Sequence, residues 1–177
     1  MKKGLLCIFA LFIFQNALAQ EKKIKPFFEG SFRLTFAANE NFTLDEDEPL
    51  FVPSGTFFRF GLGYMFGDKF SASINAGYDH HFPYAINAFP TYVKVRYNVW
   101  GDLEGALFVQ SSFGKMWRPS LRYSDGDYYN MGIGVEMETD SRWKPIILLT
   151  YHSKKIQGFE NSGNLESISL GIGFRFL

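Results

Sequence analysis

Eight stretches of this chain alternate apolar and polar residues one for one, and this period of two constrains the fold more than any other feature. The last is the most regular. In Ser167–Leu177, Ile168, Leu170, Ile172, Phe174 and Phe176 alternate with Ser167, Ser169, Gly171, Gly173 and Arg175. The other seven are Phe27–Ala38, Thr56–Phe66, Lys69–Asp79, Thr91–Trp100, Leu103–Phe113, Tyr128–Glu138 and Trp143–His152. In Trp143–His152 the run Ile146–Leu149 leaves the parity open. A final strand with a bare edge offers itself for aggregation. An economical answer is an all-β, up-and-down antiparallel barrel, in which strand eight pairs with strand one.

The connections are unequal. Gly67-Asp68, Gly101-Asp102 and Thr139–Arg142 are short and rich in turn residues. Residues 39–55, 80–90, 114–127 and 153–164 read as long loops alternating with these turns. Short turns on one side, long loops on the other and an even strand count describe a transmembrane barrel with both chain ends on the periplasmic side.

A soluble ligand-binding barrel also alternates, with its apolar face inside. Two features favour a membrane barrel. The polar faces are poor in charge for a water-facing surface: Ser, Ser, Gly, Gly and Arg in the last strand, Ser, Ser, Asn and Gly in the third. Large aromatics also gather near segment ends, with Phe66, Trp100, Trp143, Phe174 and Phe176 near the turns. Phe36, Tyr78, Tyr129 and Tyr151 lie near the loops, so that two interfacial girdles are expected. The remaining polar-face charges then project inward: Glu29, Arg33, Arg59, Lys94, Arg96, Glu104, Glu136, Glu138 and Arg175. Eight strands enclose a lumen only wide enough for side chains. Mixed charges there must pair, which predicts an ion-pair network and a closed lumen rather than a pore.

The first residues carry Lys2 and Lys3, then an apolar run from Leu5 to Phe14, then Ala17-Leu18-Ala19. This pattern predicts a cleaved signal peptide over 1–19 and a barrel domain over 20–177. The single cysteine, Cys7, falls within the peptide, so no disulfide or thiol chemistry is expected. Without Lys2 and Lys3, 16 basic residues face 18 acidic ones, a balance that argues against nucleic acid as a partner.

Together these features resemble the small outer-membrane barrels of the OmpA/OmpX type. The resemblance implies residence in a Gram-negative outer membrane, contact with lipid and lipopolysaccharide, and insertion by the barrel-assembly machinery. Gly171, Gly173, Phe174 and Phe176 look like the C-terminal signal such proteins present to that machinery, although Leu177 stands where an aromatic is usual. Such barrels serve as anchors, adhesins, stress proteins and enzymes, so the fold does not fix the role. The role expected here is structural or one of surface interaction through the four long loops, without enzymatic activity or cofactor.

A weaker, local resemblance joins Tyr151–Ser167 to the outer-membrane lipid A deacylases, which use a His, a Ser and a Glu on neighbouring strands. It would make His152 the base, Ser153 the nucleophile and Glu166 the residue that orients the imidazole, in a lipid A ester hydrolase. Here His152 and Ser153 are adjacent, so they face opposite ways on a regular strand. No catalytic residue is therefore favoured. Asp79, His80 and His81 lack an evident fourth ligand and read as solvated loop residues, so no metal site is expected. The acidic run Asp45–Glu48 lacks cation-loop spacing, and Asn41-Phe42-Thr43 reads as an inert sequon. Lys115, Arg118, Arg122, Lys154 and Lys155 are candidate contacts to lipopolysaccharide phosphates.

Overall fold

The computed structural model describes residues 24–38, 51–82, 85–101, 105–121, 123–156 and 164–177. Its strands are β1 (Ile24–Ala38), β2 (Phe51–Phe66), β3 (Phe70–His81), β4 (Ile86–Gly101), β5 (Ala106–Trp117), β6 (Tyr123–Ser124), β7 (Gly126–Glu136), β8 (Trp143–Ile156) and β9 (Asn164–Phe176). Eight of them close an antiparallel barrel, in the order β1-β2-β3-β4-β5-β7-β8-β9. The two-residue β6 lies parallel on the edge of β4, through Asn87 and Ala88.

Closure comes from β9 pairing with β1, in register from Phe28↔Phe176 to Phe36↔Ile168. The edge that the closing segment would otherwise expose is thereby paired. Four apolar residues of that segment stand opposite apolar partners, Phe32 meeting Ile172 and Leu34 meeting Leu170 among them, while Phe174 stands opposite Gly30. At the β2–β3 turn, Gly67 takes φ 67°, a conformation most side chains resist.

The strands run past the ends read from the sequence. The stretches 80–90, 114–127 and 153–164 were expected as loops, but β3 continues to His81, β4 begins at Ile86, β5 reaches Trp117 and β8 reaches Ile156. Within the described residues, the contrast between short turns and long loops is therefore milder than expected. The predicted signal peptide, Asp45–Glu48, Asn41–Thr43, Glu104 and Arg122 lie outside the described residues.

The apolar face of each strand points away from the lumen. Leu62, Ile74, Val93, Phe113, Ile133, Leu149 and Ile172 are all exposed, Ile74 at 72%. The side chains between them are buried. A soluble ligand-binding barrel requires the reverse. The girdle aromatics meet across strands: Trp143 packs edge-on against Phe174, with centroids 4.8 Å apart, and against Phe176 at 4.9 Å. Near the other end, the Trp117 indole donates to Thr91 Oγ1 and the Tyr78 hydroxyl donates to Asn87 Oδ1.

Candidate functional site: the lumen

The lumen is built by strand parity. Each barrel strand contributes every second residue to it, and the glycines among these make room for long neighbours. A Cβ on Gly171 would sit 2.8 Å from the Arg33 Cγ, and one on Gly134 would meet the Phe108 ring at 2.5 Å. The small residues of the polar faces thus accommodate the large ones.

In the turn-side half, five charged side chains interlock. Lys94 donates to Glu29 Oε1, and Arg175 lies 3.5 Å from Glu29 Oε2. Arg175 also approaches Glu136 at 3.4 Å, and Arg96 pairs with the same carboxylate at 2.7 Å. Aromatic rings carry the guanidinium faces: Arg96 lies 3.6 Å above Phe108 and Arg175 4.3 Å from Phe27. All five charges are buried.

The loop-side half centres on Asp79. Arg59 grips it with both terminal nitrogens, the Nη2–Oδ2 bond being 2.8 Å, and Lys154 reaches its Oδ2 at 2.5 Å. The Lys154 ammonium also donates to His81 Nε2 at 2.6 Å and lies 3.7 Å over the Phe57 ring. Beside this group, Asn130 Nδ2 and Arg59 Nη2 both donate to the Tyr128 hydroxyl. That hydroxyl has one proton, so it donates to His152 Nδ1 at 3.1 Å. The imidazole then carries its proton on Nε2 and donates to Ser169 Oγ at 2.7 Å, and Ser169 donates to the Thr150 carbonyl. Ala88, Tyr92, Met116, Tyr128 and Ile156 pack together in this half as an apolar plug.

Of the residues assigned to the interior from sequence, Glu29, Arg33, Arg59, Lys94, Arg96, Glu136 and Arg175 are buried in the lumen. Glu138 is a correction: it lies beyond the end of β7 and is exposed, because the strand yields to the turn at Met137. Lys154 is a second correction. It was expected at the rim as a lipopolysaccharide contact, but β8 continues through it and its parity turns it inward to Asp79. Lys115, Arg118 and Lys155 are exposed. On the outer face the registers place Lys115 opposite Asp127, and Asp127 opposite Lys155.

The hydrolase trio does not assemble. His152 is fully buried and faces the lumen, while its neighbour Ser153 shares the outer face with its register partner Glu166. The open parity of β8 is settled by Ile147 and Leu149 facing out and Ile146 and Leu148 facing in. Asp79 and His81 were read as solvated loop residues. They continue the inward parity of Ser71, Ser73, Asn75 and Gly77, a signal present in the sequence.

This architecture is that of the small eight-stranded outer-membrane barrels, and solved members of that class share it at low sequence identity. Neisserial surface protein A (NspA) superposes with a TM-score of 0.61 at 12% identity, covering 87% of this chain and 98% of its own. The N-terminal β-barrel domain of Pseudomonas aeruginosa OprF gives a TM-score of 0.52 at 15% identity, covering 88% of this chain and all of that domain. No family model matches the chain, and no curated protein matches it.

Proposed function

We propose that this chain is a small outer-membrane barrel with a structural or surface-interaction role, without enzymatic activity. The observation that carries this reading is its inverted surface. An all-round band of exposed Phe, Ile, Leu and Val encloses buried Arg, Lys, Glu and Asp. Apolar area on that scale is stable only against hydrocarbon. Strands of 11 to 16 residues meet or exceed the ~9–11 needed to cross a bilayer. In this reading residues 1–19 are a signal peptide, both ends face the periplasm and the assembly machinery inserts the barrel. The loop side meets the outer medium, where Lys115, Arg118, Arg122 and Lys155 touch lipopolysaccharide phosphates. The interlocked charges hold the lumen closed.

Fractionation tests the location and gel migration tests the fold. The protein is expected in the detergent-extracted outer-membrane fraction, migrating faster unheated than boiled. Recovery in the soluble periplasmic fraction, with no heat-dependent shift, would overturn the reading. Lipid A acylation is expected to be identical in cells with and without the protein; a lost acyl chain would reinstate the hydrolase.

A further inference from the structure

The buried charges of the lumen do not balance. Among the described residues, Arg33, Arg59, Lys94, Arg96, Lys144, Lys154 and Arg175 are buried, against the carboxylates Glu29, Asp79 and Glu136. An ion withdrawn from water without a partner of opposite charge is strongly disfavoured. Lys144 lies near the turn end, where its ammonium donates to the Thr139 carbonyl. Arg33 has no such outlet. It is 3% exposed, and among the described residues it forms no ion pair and one hydrogen bond, from Nε to Ser31 Oγ at 3.3 Å.

Arg33 borders a cavity of about 20 Å³ between the two ion-pair groups, together with Arg59, Lys94 and Arg96. Glu29 also lines it, but Lys94 and Arg175 already neutralise that carboxylate. Several buried donors around the cavity have no protein acceptor: Arg33 Nη1, Arg59 Nε, Arg96 Nη2 and Gln110 Nε2. The lining therefore supplies surplus positive charge and unused N–H groups. One water needs roughly 10–15 Å³, so the space suits a single monatomic ion and excludes an organic one.

We propose that this cavity is a binding site for one small inorganic anion of the halide class, held chiefly by Arg33. The ion supplies the negative charge that the strands leave out and accepts from the unused donors. It does so without opening a path through the lumen. The inference rests on the parity that turns these cations inward; the closing experiment reads anion dependence, which is separate from cellular location or acylation.

The test is reversible denaturant unfolding of the barrel chain in lipid vesicles, with sodium chloride replaced by sodium gluconate at constant ionic strength. Chloride and bromide are expected to stabilise the fold saturably. The folded-to-unfolded ratio should rise about tenfold when the halide reaches ten times its dissociation constant. Arg33→Met should unfold identically in both salts. Equal unfolding of the unaltered chain in chloride and gluconate would overturn the proposal, as would full halide dependence in Arg33→Met. Crystals of the unaltered chain grown in bromide provide a measurement that needs no variant. An anomalous peak beside the Arg33 guanidinium supports the site, and its absence refutes it.

Discussion

In the turn-side half of the lumen, Glu29 and Glu136 are threaded among Lys94, Arg96 and Arg175, and Arg175 touches both carboxylates. In the loop-side half, Asp79 is the one carboxylate among the described residues that answers Arg59 and Lys154, while Phe57, Tyr128, His81 and His152 fill the remaining space. In the first arrangement two carboxylates are linked through Arg175, so that Glu29, Glu136 and Arg175 each have two charged partners. The second depends on a single carboxylate and uses rings and hydrogen bonds to cover cations that lack one. Coupled ion pairs tolerate the loss of one member better than a lone hub does, because the survivors can re-pair.

The comparison is broken most directly at the hub. Asp79→Ala strands two buried cations and should cost about 3–5 kcal/mol, measured by urea unfolding in lipid vesicles. Glu136→Gln keeps the side chain's shape, and Arg175 retains Glu29. Its loss should be smaller, about 1.5–3 kcal/mol in the same assay. If Glu136→Gln proved the more damaging, the two halves would be wrongly ranked. Lys154→Met sharpens the contrast: it removes a surplus cation while Asp79 keeps Arg59, so stability should change by no more than about 1 kcal/mol. Glu138→Gln, on the exposed turn, should stay within about 0.5 kcal/mol.

Much of this barrel was legible because its strands obey a strict period. The alternation of Ser167–Leu177 predicted which side chains of β9 face out, and Phe32, Leu34, Leu170 and Ile172 pair on that face. The interior of β8 was harder to read for a physical reason. Ile146 and Leu148 pack against Phe108 inside the lumen, so both faces of the strand are apolar there and the period disappears. The loop-side ends were also obscured. Pro53 and Pro90 lie inside β2 and β4, where proline usually marks an end, and a bulge between Thr35 and Phe36 shifts the register. Lys154 lies two residues past the apparent end of its stretch at His152, and Asp79 at the very end of its own beside His80 and His81, so both read as loop residues and the loop-side hub was lost. Parity carried past the apparent ends would have recovered both. Nothing in the sequence pairs Arg59 with Asp79 across β2 and β3; that contact follows from register alone.

The central claim is that the apolar side of every strand touches hydrocarbon. Nitroxides placed one at a time at Ile74, Val95, Leu170 and Ile172 in barrels inserted into bilayers test it through collision rates with oxygen and with a water-soluble nickel chelate. The account predicts frequent oxygen collisions and few nickel collisions at all four positions. Nickel collisions exceeding those of oxygen at Leu170 and Ile172 would contradict it.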